Sequence, residues 1–181
     1  MNRIPGHRNR ALREEGGGPH KVAKEKTPVT SAVRVLRAAG VTYTEHPYDY
    51  EEKGGTAVSA RELGVDEHSV VKTLVMEDDG KRPLVVLMHG DREVSTKELA
   101  RAIGAKSVTP CSPETAHRVS GYIVGGISPF GLRHAMPIYM EGTILDLSKI
   151  YINGGRRGFL VGMRPGDVAR ILSTVSVHVA I

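Results

Sequence analysis

The chain has no tryptophan, two phenylalanines and one cysteine in 181 residues. Each shortage excludes something. A lone cysteine, Cys111, cannot close an internal disulfide, which suits a reducing, cytoplasmic setting. It also denies the chain the cysteine pairs of most structural zinc sites, and the eight histidines contain no H-x-x-x-H spacing. No metal and no cofactor are expected. No apolar run approaches the roughly 18–20 residues of a membrane span, so no membrane partner is expected. The opening "MNRIPGHRNRALREEGGGPHKVAKEK" has no apolar core of the kind that marks a secretory signal.

A broad basic face is missing as well. The net charge is +5 and the sequence pI about 9.4, but the excess is concentrated at one end. Residues 1–26 carry seven Lys/Arg and three acids, leaving 18 basic and 17 acidic groups over residues 27–181. A nearly neutral folded part excludes a DNA-binding face and limits any RNA contact to a local one. The first 26 residues lack apolar periodicity and read as a disordered basic tail. Val22 opens a stretch resembling a natural protein start, so a second reading is that residues 1–26 are not translated in full. Residues 27–181 are long enough for one domain with its own core.

What is present alternates irregularly between helix and strand signals. Thr27-Pro28 reads as N-cap and first helical position, with Ala32, Val33, Leu36 and Ala39 at helical spacing and Gly40 as the stop. "VTYTEHPY" (41–48) reads as a strand and "TAVSARELG" (56–64) as a short helix. "SVVKTLVME" (69–77) and "RPLVVLMHG" (82–90) read as a hairpin. "STKELARAIGA" (95–105) carries a capping box, Ser95 with Glu98. "SPETAHRV" (112–119) is a helix with Pro113 first. Tyr122–Val124, "TILDLS" (143–148), "AMPIYME" (135–141), "IYING" (150–154) and "FLVGM" (159–163) read as strands. "GGRRG" (154–158) reads as a turn, "PGDVARILS" (165–173) as a helix and "VSVHVAI" as an edge strand. Without a regular β-α-β rhythm, the expected class is α+β: a single domain with a curved mixed β-sheet flanked by helices.

Four stretches offer chemistry. Lys72 interrupts an apolar strand with Thr73 beside it; it is either a cation aimed into a pocket or a strand side chain facing solvent. In "GYIVGGISPFG" (121–131), Gly125 and Gly126 permit φ > 0 and close approach, and Pro129 fixes the exit. This is either an ordinary turn or a rigid loop with bare N–H groups. Ser128 misses the nucleophile elbow, because Phe130 stands where G-x-S-x-G needs glycine. Arg156 and Arg157 suit phosphate or ribose contacts, or form a solvated turn. His46, Tyr48 and Tyr50 line a pocket, stack on a base, or simply pack. Cys111 reads as structural.

Taken in order, "TPVTSAVRVLRAAGV", "VVKTLV", "KELARAIGAKSV", "GYIVGGISPFG" and "IYINGGRRG" resemble the YbaK/EbsC family, freestanding relatives of the prolyl-tRNA synthetase editing domain. The match spans residues 27–181. The resemblance implies a cytoplasmic deacylase that removes a wrong amino acid from tRNA in trans, most typically from Cys-tRNA(Pro), with tRNA and prolyl-tRNA synthetase as partners. It implies that Lys72 anchors the terminal adenosine and positions the ester, and that Gly125 and Gly126 cradle the aminoacyl carbonyl. Tyr48, Thr73, Ile127, Ser128, Pro129, Asn153, Gly154, Gly155, Arg156 and Arg157 become expected substrate contacts. The family uses no protein nucleophile. Three positions depart from its pattern: Gly54-Gly55 where a phenylalanine is usual, Asn153 for the usual serine, and Leu160 where an acid is sometimes found. The amino acid removed is therefore open between cysteine and another small residue such as alanine. A non-catalytic module that holds an aminoacyl-tRNA or a nucleotide is the reading from another class.

Overall fold

The computed structural model describes residues 27–181; the expected basic tail, residues 1–26, lies outside the described residues. Among the described residues there are five α-helices: α1 (Ser31–Ala38), α2 (Gly55–Leu63), α3 (Thr96–Ile103), α4 (Pro113–Ser120) and α5 (Pro165–Leu172). The strands are β1 (Thr44–Pro47), β2 (Val70–Asp78), β3 (Pro83–His89), β4 (Val108–Pro110), β5 (Ile138–Glu141), β6 (Ile150–Arg156), β7 (Phe159–Met163) and β8 (Val175–Val177). All eight join one sheet in the order β1-β7-β6-β2-β3-β5-β8, with β4 attached to β2. The sheet is mixed: β2–β6, β3–β5 and β5–β8 are parallel pairs and the others antiparallel.

Strand alternation divides the core between two faces. Val71 and Val75 of β2 join a large cluster with Ala32, Val33 and Leu36 of α1, Ala116 and Val119 of α4 and Val168 of α5. The opposite face carries two smaller clusters. Val70 packs with Leu160 and Ala60 of α2; Met76, Val86 and Met88 pack with Leu99 and Ala100 of α3. Lys72 belongs to this second face and falls between the two smaller clusters.

The helix ends follow local chemistry. The Ser95 hydroxyl accepts from Glu98 N at 3.3 Å, and Gly104 closes α3 in the left-handed region. Ser112 caps α4 with Pro113 in the first turn. Three expectations are corrected. The cap of α1 is Thr30, not Thr27: its hydroxyl accepts from Val33 N and also donates to Gly154 O, a tertiary contact that the sequence does not show. Residues 143–148 form no strand but continue a 3-10 turn, Gly142–Asp146, whose start is capped by the Glu141 carboxylate. Tyr122–Val124 is not a strand either. Gly121 ends α4 at φ 81°, Tyr122 N turns back to Ser120 Oγ, and Ile123 and Val124 are left exposed.

Candidate functional site

One edge of β2 holds the key irregularity. It pairs with β6 only through Val70↔Tyr151 and Val71↔Ile152, then with β4 from Met76 onward. Between these pairings, Lys72 to Val75 face no strand on that side, and Cys111 N reaches in to Val75 O. Such a parting of neighbouring strands is where open sheets commonly take ligands. In register, Lys72 is the next position beside Asn153 and shares its face. Lys72 is half-buried, and its ammonium donates to the carbonyl of Arg92 in the β3–α3 loop. Thr73 projects to the other face, and its hydroxyl is buried with no hydrogen-bond partner among the described residues. A buried orphan hydroxyl costs about 1–3 kcal/mol, so something else holds it there.

Asn153 organises the hairpin end. The β6–β7 register breaks between Asn153 and Arg156, so Gly154 and Gly155 form a bulge. Asn153 Oδ1 accepts from Gly155 N (2.7 Å) and Arg156 N (3.2 Å), and Nδ2 donates to Gly125 O (3.2 Å) and Arg156 O (3.3 Å). The bulge needs glycine: Gly155 has φ +93°, and a Cβ on Gly154 would lie 2.5 Å from the Phe159 ring. The turn is shorter than expected, Arg157-Gly158 alone, with Arg156 still paired to Phe159.

The loop 121–131 docks on this hairpin. Arg157 Nε donates to Val124 O at 2.9 Å, and the guanidinium lies 5.2 Å from the centre of the Tyr50 ring. Gly126 packs so closely that a Cβ would meet the Arg157 amide nitrogen at 2.8 Å. Behind the loop, the Tyr122 hydroxyl donates to Phe130 O at 2.6 Å, and Ile127 and Phe130 enter the main core. Gly126 N–H is occupied by Ile123 O at 2.8 Å. That corrects the expected cradle: Gly126 supplies proximity, not a donor. Among the described residues the Gly125 and Ile127 N–H groups have no acceptor, and Gly125 is exposed at φ +88°. Ser128 and Pro129 are buried; Ser128 Oγ accepts from Phe130 N and braces the turn.

Beside the loop runs a groove of about 410 Å³ lined by Tyr48, Tyr50, Arg156, Arg157 and Gly158, with Pro28 and Phe159. Tyr48 N donates to Gly158 O at 2.9 Å. Burial raises the Tyr48 phenol above its ordinary value, so it remains a neutral donor. His46 sits apart, bonded to Thr44 Oγ1 and edge-on to Tyr151; burial, then Lys149, lowers its pKa and keeps it neutral. The structure thus brings Gly125, Gly126, Asn153, Gly154, Gly155, Arg156, Arg157 and Tyr48 together, with Lys72 in adjacent register. Thr73 does not share the face of Lys72.

A family model described as the aminoacyl-tRNA editing domain matches residues 51–171. The chain belongs to the aminoacyl-tRNA editing domain family. EbsC of Enterococcus faecalis, a proposed Cys-tRNA(Pro)/Cys-tRNA(Cys) deacylase, is 32% identical over 146 residues, 80% of this chain and 89% of that one. Proline–tRNA ligase of Streptococcus equi subsp. zooepidemicus is 30% identical over 104 residues; the match covers 57% of this chain and 17% of the ligase. In fold, the chain superposes on the hypothetical protein APE2540 with a TM-score of 0.78 at 24% identity, covering 84% of this chain and all of that one. A proposed trans-editing enzyme for prolyl-tRNA synthetase gives 0.73 at 20% identity, over 86% and 99% of the two chains.

Neither Ser128 nor Cys111 is placed as a nucleophile. Ser128 Oγ is sealed in, and burial pushes the Cys111 thiol up, with the Glu77 carboxylate adding to the rise. Among the described residues no three His, Cys, Asp or Glu side chains come together to hold a metal, and no helix is long and apolar enough to cross a membrane. Two contributors escape sequence reasoning. The Val124 and Arg92 carbonyls act through the backbone, which carries no side-chain signal. Leu160 is buried against Val70 and Ala60.

Proposed function

We propose that this chain hydrolyses the ester of mischarged tRNA in trans, in the cytoplasm. The carrying observation is the exposed Gly125 amide, pinned by Asn153 and Arg157 at the point where β2 and β6 part beside Lys72. In this reading the ester carbonyl oxygen lies against the N–H groups of Gly125 and Ile127. Donors fixed before the reaction stabilise the charge that develops there, which typically lowers barriers by several kcal/mol. Lys72 holds the terminal adenosine and so orients the ester. Arg156 and the Tyr48 and Tyr50 rings receive the neighbouring phosphate and sugar along the groove. Thr73, on the opposite face with its hydroxyl buried, takes no part in this reading.

For a cysteinyl ester the attacking group is the substrate's own thiol. Its sulfur adds to the carbonyl carbon, the tRNA 3′ oxygen leaves and takes the proton that the thiol gives up, and a thiolactone departs. For another small residue, such as alanine, water adds to the carbonyl carbon with a neighbouring ribose hydroxyl taking part as a hydrogen-bond partner; the tRNA 3′ oxygen leaves with the proton the water gives up, and the free amino acid departs. Cysteine on tRNA(Pro) is the first choice. Asn153, fully committed to backbone, and Leu160, in the core, put no acid at those two positions to bind a polar side chain. The nearly neutral residues 27–181 bind tRNA weakly alone, so prolyl-tRNA synthetase is the partner that delivers it.

The test is single-turnover deacylation of tRNA(Pro) charged separately with cysteine, alanine and proline. Loss of the cysteinyl ester well above the uncatalysed rate, with Pro-tRNA(Pro) spared, is expected. Binding of all three without turnover would instead identify a non-catalytic module.

A further inference from the structure

The Lys72 ammonium does not hang free: it donates to the Arg92 carbonyl. What fixes that carbonyl lies far away in sequence. Glu93 N donates to Ile181 O at 3.0 Å, Ile181 N returns to Glu93 O at 2.9 Å, and Ser95 N donates to Val179 O at 2.8 Å. The loop holding Arg92 is thus zipped to residues 179–181. That segment is itself held by one buried acid. Glu141, 2% exposed at the end of β5, accepts from Val179 N (2.8 Å) and Ala180 N (3.0 Å) through Oε2. Its other oxygen faces Thr143 and, at 3.4 Å, His178 Nδ1. Burial alone would raise this carboxyl, but the backbone donors of Val179, Thr143 and Ala180 outweigh it and hold Glu141 ionised. A buried carboxylate is expensive unless its oxygens are bonded, and here two consecutive amides bond one of them.

We infer that Glu141 is a positioning residue for Lys72, acting through residues 179–181 and the Arg92 loop as a clasp. The inference rests on the assignment of Lys72 to the reaction. A lysine on a flexible stem holds its ammonium in one place only if its acceptor is fixed. Here the acceptor is a loop carbonyl whose position is set by a ladder to the clasped segment, and the ladder is set by Glu141. Loosening the clasp leaves the groove of Tyr48 and Arg156 intact, so tRNA still binds. What is lost is the orientation of the ester, and that belongs to the chemical step.

The experiment is single-turnover deacylation of Cys-tRNA(Pro) at varied enzyme concentration. It uses wild type, Glu141→Gln, Ile181→Pro and Lys72→Ala, each first checked by circular dichroism. Ile181 is 68% exposed; proline there removes the N–H given to Glu93 and restricts Ala180 beside it, a change confined to the clasp at the chain end, so the variant is expected to fold even if Glu141→Gln does not. The expected result is a maximal rate about tenfold lower for Glu141→Gln and severalfold lower for Ile181→Pro, with half-saturation within about twofold of wild type. Folded variants with wild-type rates overturn the clasp. So does an equal loss in rate and half-saturation, which marks a purely structural role. Lys72→Ala with a wild-type rate sinks the reading of the site itself, a separate outcome.

Discussion

Gly126→Ala is the sharpest probe of how the loop is held. Gly126 is not among the glycines at positive φ, so alanine meets no backbone strain there and the effect is steric alone. Its Cβ would stand 2.8 Å from Arg157 N, 2.9 Å from Arg156 C and 3.2 Å from Arg156 Cα, all backbone atoms of the hairpin. Contact distance is roughly 3.5 Å, so the loop must retreat by about 0.6–0.7 Å. Retreat stretches the Arg157 Nε–Val124 O and Asn153 Nδ2–Gly125 O bonds, now 2.9 and 3.2 Å. Overpacking of this kind costs about 1–3 kcal/mol of stability. A misplacement approaching 1 Å at a reacting centre costs up to about 100-fold in rate. We therefore expect single-turnover deacylation to fall about 30- to 100-fold while the protein stays folded in a urea melt. Gly166→Ala is the control: its Cβ meets nothing within 4 Å, so it should raise stability by about 0.5–1 kcal/mol and leave the rate alone. A folded Gly126→Ala enzyme within threefold of wild type would refute the reasoning.

Three further outcomes follow from the same geometry. Arg157→Lys keeps the charge but loses the bond to Val124 O and the stacking on Tyr50, so the deacylation rate should fall severalfold, and an unchanged rate would count against the clamp. Ser128→Ala and Cys111→Ser should retain the wild-type rate, with Ser128→Ala losing about 1 kcal/mol in denaturant for the Phe130 N–H it leaves unpaired; a dead enzyme from either would restore a protein nucleophile. Glu141→Gln should destabilise by about 2–4 kcal/mol at neutral pH. The folded pKa of Glu141 lies below its ordinary 4.5, so its stabilisation is full above that value and lost as pH falls through the folded one. The gap in melting temperature between wild type and variant should therefore narrow as pH falls below 4.5, and a constant gap would contradict the assignment.

Much of this was legible from local signals, because capping and hydrophobic alternation act over three or four residues. Ser95–Glu98, Ser112–Pro113 and the apolar run through Lys72 gave α3, α4 and β2 directly. Tyr122–Val124 misled because three apolar residues do not distinguish a strand from an exposed turn when a left-handed glycine has just ended the helix. The α1 cap moved to Thr30 because that hydroxyl also serves Gly154, 124 residues away. In the site, the paired glycines and "NGGRRG" were visible as motifs, but which glycine donates was not. Gly126 uses its N–H inside the turn, leaving Gly125 and Ile127 as the free donors among the described residues. The Arg92 carbonyl and the clasp behind it were invisible, since backbone contacts between distant segments depend on the strand order alone.

The most direct test of the account is Lys72→Ala in single-turnover deacylation of Cys-tRNA(Pro), with tRNA binding measured in parallel. The expected result is a loss of at least about 100-fold in the maximal rate from a protein that is still folded. A variant that deacylates at the wild-type rate would remove Lys72 from the site and contradict the account.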